Sequence, residues 1–344
     1  MGCSLRASGI VSAPTERTGV AILGATGLVG ERLVSLLQDH PWFRLEEVVA
    51  SDASAGLRLG DLIEGAGPSA DLEVQSCGSE LESSVLLSAL PGEAALEFEA
   101  LYTRRGHLVC SNAAAYRDDP SVPLVVPEVN SESLSESAPS VGRIVTNPNC
   151  VVSGLAVALV PLQARFGITG LTVVTLQALS GAGRRGLGAW DTQANVIPHI
   201  DGEAEKIGRE LRRVFGWTFL PSVRVNRVPV IEGHLATVFL KLDGQPAVDE
   251  VAEVLADFRP PPPIADLPSS PPRPIRVMHP PDRPQPRLDA GLSGGMGVSV
   301  GGIRADSAYD VSFSVLSHNL VRGAAGACLL NAELAVQLQR GVRS

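Results

Sequence analysis

Through the first part of the chain, short apolar runs alternate with stretches whose apolar positions recur at helical spacing. Residues 19–23, 45–50, 85–89, 108–111 and 141–146 have the length and β-branched content of buried strands. Between them, 28–38 and 93–104 are amphipathic helices. Strands apolar on both faces and separated by helices predict an α/β fold with a mainly parallel, doubly wound sheet. Beyond residue 147 the pattern changes. A small-residue apolar run, 151–162, reads as a buried helix, followed by a β-rich run at 171–179 and a helix at 201–214. Strands at 223–230 and 235–242 flank the turn Ile231-Glu232-Gly233, and further strands at 298–303 and 309–315 precede a last small-residue helix, 320–339. Residues 260–286 are too rich in proline for a helix or a central strand and read as a long surface excursion.

Composition narrows the class. With 344 residues, 44% hydrophobic and 19% charged, the chain can build two domains around large cores. A net charge of −9 leaves no basic stripe for phosphate backbones, so nucleic acid is excluded as a partner. The five cysteines (Cys3, Cys77, Cys110, Cys150, Cys328) lack metal-ligand spacing, which predicts free thiols in a reducing, cytoplasmic setting and no metal site. No run approaches the roughly 18–20 apolar residues that span a bilayer. Residues 1–18 lack an apolar signal core, and Arg6 stands where a myristoylation signal wants Ser or Thr, so this stretch is expected to be a disordered extension.

The candidate chemistry starts at Gly24-Ala25-Thr26-Gly27-Leu28-Val29-Gly30, a glycine-rich loop between a strand and a helix. Its three glycines permit a tight turn, close approach to a pyrophosphate and helix-on-strand packing, with the helix N-terminus facing the anion. A plain strand-to-helix turn is the bland alternative. After the next strand, Ser51-Asp52 puts a carboxylate where an adenosine ribose hydroxyl would be held, which favours NAD, whereas Arg58 could meet a 2′-phosphate. Arg117, in the loop after strand 108–111, is a candidate anion contact or a solvated surface charge.

Cys150 follows Asn147-Pro148-Asn149 and opens the buried helix. At a helix N-terminus the unpaired N–H groups favour a thiolate, hence a nucleophile with a lowered pKa. An arbitrary cysteine is more often a small core residue. The β-rich run 171–179 carries Gln177, and Ser180-Gly181-Ala182-Gly183 turns after it. Glu203 and Lys206, three apart, share a helix face, a spacing that a surface ion pair explains without function. Arg227 and His234 lie across one tight turn and can both enter one cleft, where histidine is suited to proton transfer.

Together these motifs resemble the aspartate-semialdehyde dehydrogenase family, in the branch common in archaea and fungi. The resemblance runs from about residue 19 to 339 and includes Asn195-Val196-Ile197-Pro198, Asn226-Arg227-Val228-Pro229-Val230, Arg283-Pro284-Gln285-Pro286-Arg287, His318-Asn319 and Val321-Arg322-Gly323-Ala324-Ala325-Gly326. It implies a Rossmann-type dinucleotide-binding domain, 19–149, completed by a C-terminal helix at 319–344, and an α+β catalytic and dimerisation domain, 150–318, in a homodimer or homotetramer. It implies NADP(H)-dependent reduction of L-aspartyl 4-phosphate to the semialdehyde, on the route to lysine, threonine and methionine. Cys150 is then the nucleophile, His234 the acid/base group and Gln177 the residue orienting the acyl intermediate, with Asn149 assisting. Arg227 would clamp the substrate carboxylate, Glu203 receive its ammonium, and Lys206 and Arg117 contact phosphate. Ser180, Gly181 and Asn319 would seat the nicotinamide. The chain departs from the family at Asp52, which repels a 2′-phosphate and leaves NAD(H) open, and at Arg184-Arg185, which replaces an aromatic-proline pair. The alternatives on this scaffold are a malonyl- or succinyl-CoA reductase and a catalytically inactive binding relative.

Overall fold

The structure is a computed structural model and describes residues 17–136, 142–184 and 186–343. Most of the expected N-terminal extension, residues 1–16, lies outside the described residues, and Thr18 already begins the first strand.

Six strands form the first sheet: β1 (Thr18–Leu23), β2 (Phe43–Ala50), β3 (Val74–Ser76), β4 (Val85–Ser88), β5 (Leu108–Ser111) and β6 (Arg143–Thr146). Their order is β3-β2-β1-β4-β5-β6 and every pairing is parallel. β4 and β5 are buried along their whole length, because helices cover both faces of the sheet. Helix α1 (Leu28–Leu37) follows β1, and α2 (Gly92–Arg104) follows β4 on the other side of the strand-order reversal. In such sheets ligands bind at the carboxyl ends of the strands where the order reverses, here between β1 and β4.

The second sheet is mixed. It contains β7 (Ile168–Gln177), β8 (Ser222–Arg227), β9 (His234–Leu242), β10 (Ile275–Met278), β11 (Val298–Ala305) and β12 (Val311–Ser317), in the order β10-β11-β12-β9-β7-β8. One face packs on α3 (Cys150–Phe166), α4 (Glu203–Phe215) and α5 (Val248–Asp257) through a single apolar cluster. No described helix packs on the other face. Thr172, Val174 and Leu176 of β7 pair with Phe239, Thr237 and Leu235 of β9, and all six are half-buried or exposed.

Three expectations need correction. The helix expected to end with its apolar run at Leu162 continues to Phe166, and stops only where Gly167 takes φ +72°. The last helix is not uniform: Val321–Ala325 is a π-helical turn, and α6 (Gly326–Arg343) follows it. The proline-rich stretch, expected to be a surface excursion with neither helix nor central strand, contributes the edge strand β10 and buries Ile264 and Leu267 in the first core. That strand sits at the edge of its sheet, the position that tolerates flanking prolines. α6 buries Leu329, Leu330, Leu334 and Ala335 in the core beneath the first sheet, so the chain's end returns to the unit where it began.

Candidate active site

Asn149 caps α3: its Oδ1 accepts from the Val151 N–H at 2.9 Å. That cap fixes where the helix starts and puts Cys150 in its first turn. The thiol sulfur lies 3.2 Å from His234 Nε2. On the far side of the ring, His234 Nδ1 accepts the Ala178 N–H at 3.0 Å, which assigns the ring proton to Nε2, facing the sulfur. The carbonyl of the same Ala178 accepts from Arg227 Nη1 at 2.6 Å. One peptide unit therefore orients both the imidazole and the guanidinium. Gly181 closes over them: a Cβ there would stand 2.8 Å from Arg227 Nη1 and 3.1 Å from His234 Cε1. Asn319 ties the turn down, donating to Ser180 Oγ at 2.8 Å and accepting from the Gly233 N–H at 2.8 Å.

The electrostatics differ from the thiolate expected at a helix start. Burial pushes the Cys150 thiol up to about 12; Glu203 adds to this, while Arg117 and Arg227 oppose it. The helix dipole acts in the favourable direction, but desolvation dominates. Burial, with Arg227 and His318 beside it, takes His234 down to about 3. The resting pair is a neutral thiol and a neutral imidazole.

Below Asn149 lies α4. Glu203 Oε1 accepts from Asn149 Nδ2 at 2.8 Å, so its carboxylate is turned towards the nucleophile's helix cap. No described ion pair joins Glu203 to Lys206; the Lys206 ammonium lies over Gly202 instead. Arg117 is buried and bonded inside the protein, through Nη1 to Glu210 Oε1 at 3.2 Å and Nη2 to the Asn112 carbonyl at 2.6 Å. Gln177 is buried at the end of β7 opposite Arg227, with its carboxamide 3.4 Å from Thr175 Oγ1.

The glycine loop suits a pyrophosphate. Gly24 has φ +82° and a Cβ on it would meet the Ala89 carbonyl at 2.7 Å, while one on Gly30 would meet the Gly24 carbonyl at 2.2 Å. A Cβ on Gly27 would come no nearer to any atom than 3.5 Å. Gly27 is also the N-cap of α1 and supplies no side-chain cap, so the first N–H groups of α1 are unclaimed by side chains. Thr26, Leu28 and Val29 lie in this turn, and Ala25 is buried beneath it. At the end of β2, Ser51 and Asp52 are exposed turn residues, and Arg58 pairs with Asp71 at 3.1 Å. One turn links the loop's helix to the thiol's surroundings: the segment that holds Ser180 and Gly181 continues to Arg184, which is ion-paired with Glu31 on α1. Arg32 on the same helix reaches Glu232 at 2.9 Å, and Glu232 also meets His318 at 3.1 Å. This accounts for Arg184; Arg185 lies outside the described residues.

Sequence reasoning missed Ala178, which acts through its backbone, and Glu210. The signal for Glu210 was its spacing of seven from Glu203, which puts both on one helix face.

Two family models match the chain: semialdehyde dehydrogenase, NAD binding domain, at residues 19–137, and semialdehyde dehydrogenase, dimerisation domain, at 159–322. An aspartate-semialdehyde dehydrogenase of Archaeoglobus fulgidus is 38% identical over 343 residues, covering 93% of this chain and 98% of its own. One from Schizosaccharomyces pombe is 40% identical, covering 92% and 98%. Among solved structures, aspartate semialdehyde dehydrogenase with NADP from Candida albicans superposes with a TM-score of 0.85 at 35% identity, covering 94% of this chain and 99% of that one.

Proposed function

The chain belongs to the aspartate-semialdehyde dehydrogenase family, and from that premise we propose how its own residues carry out the reaction. The enzyme reduces L-aspartyl 4-phosphate to L-aspartate 4-semialdehyde and phosphate, with NADP(H) as cofactor, in the biosynthesis of lysine, threonine and methionine. The observation that carries the assignment of roles is the 3.2 Å contact between Cys150 Sγ and a His234 ring whose proton points at the sulfur.

Arg227, held by Ala178, receives the substrate α-carboxylate as a planar two-pronged donor. Glu203, already turned towards Asn149, takes the α-ammonium, which cancels the charge that, after burial, does most to keep Cys150 protonated. Arg117 and Lys206 receive the phosphate. Because Nε2 already carries a proton, it does not accept the one on sulfur. The thiol proton passes to the departing phosphate as the sulfur–carbon bond forms and the carbon–oxygen bond breaks, leaving a thioester on Cys150 and free hydrogen phosphate. The Gly24–Gly30 loop and the free N–H groups at the start of α1 would hold the pyrophosphate of NADP(H), which when bound would supply the hydride. The resulting oxyanion is met by Nε2–H of His234, a neutral donor fixed in place beforehand. It then collapses to the aldehyde and expels the sulfur as a thiolate, to which the same N–H donates until a proton from solvent restores the thiol. Gln177 and Asn149 flank the acyl group, and Ser180, Gly181 and Asn319 form the wall beside the nicotinamide.

The match to a dimerisation domain indicates an oligomer. We place the contact on the open face of the second sheet, giving a homodimer or a tetramer of such dimers. A cytoplasmic location is our reading, and the free thiols of Cys77, Cys110, Cys150 and Cys328 support it. No described helix is long and apolar enough to cross a membrane.

The test is a comparison of substrates with the purified enzyme and NADPH. Turnover of aspartyl phosphate should exceed that of malonyl- or succinyl-CoA by at least about 10²-fold, since those thioesters bring no ammonium to Glu203 and would leave its half-buried carboxylate without a counter-charge. Equal or faster turnover of an acyl-CoA would reject the assignment.

A further inference from the structure

Glu210 lies on α4, two turns beyond Glu203, and is 4% exposed. Its two oxygens serve two different parts of the site. Oε1 accepts from Arg117 Nη1 at 3.2 Å, and Oε2 accepts the backbone N–H of Asn149 in a short hydrogen bond. Asn149 is the cap of α3, the residue before the nucleophile, and donates its side-chain amide to Glu203. Arg117 also donates to the Asn112 carbonyl, while its Nε is buried without an acceptor among the described residues. A buried carboxylate costs several kcal/mol of desolvation unless its partners offset it, and here both partners belong to the reaction centre.

We propose, resting on the assignment above, that Glu210 is a positioning residue: by gripping Asn149's backbone and Arg117's guanidinium together, it sets the distance between the nucleophile and the phosphate clamp. The peptide that presents Cys150 and the cation that draws off phosphate are then two ends of one rigid unit. A displacement of either by about an ångström lowers the rate far more than it lowers stability. The charged groups around Glu210 fit this role. Burial and Glu203 push its carboxyl up, and Arg117 with the Asn149 N–H pulls it back. Its charge also adds to that of Glu203 in holding the Cys150 thiol protonated, against Arg117 and Arg227.

Two variants separate reach from charge, assayed in the phosphate-dependent oxidation of aspartate semialdehyde. Glu210→Gln keeps the volume but offers one acceptor to two donors. It should lower kcat roughly 10- to 100-fold and raise the phosphate KM about tenfold, while the semialdehyde KM stays within about twofold. Its loss of charge should also move the pH profile of Cys150 alkylation to lower pH. Glu210→Asp keeps the charge and loses the reach. It should reproduce the rise in phosphate KM with the alkylation profile in place, and it serves if Glu210→Gln does not fold. Wild-type kcat and phosphate KM in either folded variant would overturn the proposal, as would an equal rise in both KM values. A wild-type enzyme with no phosphate-dependent turnover would instead sink the functional assignment itself.

Discussion

Ala178 contributes no side-chain chemistry, yet its N–H decides what His234 can do. A histidine that accepts a backbone N–H at Nδ1 carries its proton at Nε2 in the neutral state, and protonating both nitrogens would break that bond. The spacing of Arg227 and His234 marked both as cleft residues, and Cys150 was legible from its position after a strand and before a buried helix. The protonation states were not legible. A helix N-terminus argues for a thiolate, but the cost of burying charge, which depends on tertiary packing, outweighs it. With the thiol at about 12 and His234 at about 3, the alkylation rate of Cys150 in the enzyme without substrate should climb tenfold per pH unit through pH 9. It should show no inflection near the usual histidine value. Iodoacetamide labelling followed by mass spectrometry measures this, and a plateau reached by pH 7 would show a resting thiolate instead.

Among elements, the π-helical turn at Val321–Ala325 has the closest bearing on the nucleophile. It carries Gly323 against the start of α3, where an added Cβ would lie 2.7 Å from Cys150 Cβ and 2.8 Å from its carbonyl. Both are backbone-anchored neighbours that cannot swing aside. Gly323→Ala should therefore cut kcat by about 10²-fold while leaving a cooperative melt. A variant with wild-type kcat would show that the turn and the thiol move independently. The motif Val321-Arg322-Gly323-Ala324-Ala325-Gly326 was visible in the sequence, but the neighbour of Gly323 was not, since it lies 173 positions from Cys150. Other elements escaped for local reasons. α5 is a ten-residue helix whose buried face is Val251 and Leu255, too few apolar positions for periodicity to register. The proline-rich stretch hides β10 because a strand of four residues at a sheet edge needs few of its own N–H groups. In contrast, β1, β4 and β5 and the helices between them were legible, because strands covered on both faces leave uninterrupted apolar runs.

At the scale of the whole molecule, two sheets with separate cores meet where α1, the 179–184 turn and the π-helical turn converge on Cys150. The parallel order of the first sheet followed from alternating elements, whereas the mixed order of the second, and its uncovered face, required the fold. Val174, Leu176, Leu235 and Phe239 on that face are apolar side chains that a second copy would cover. The double variant Val174→Glu, Phe239→Glu should weaken self-association at least about 10²-fold, seen as a monomer by light scattering at micromolar concentration. An unchanged mass would move the interface elsewhere. The central claim is that substrate passes through a thioester on Cys150, and the most direct measurement omits phosphate. Enzyme mixed with aspartate semialdehyde and NADP⁺ alone should form one equivalent of NADPH per active site and then stall, with a single aspartyl group on the Cys150 peptide by mass spectrometry. NADPH formation without that adduct, or an adduct on another residue, would contradict the account.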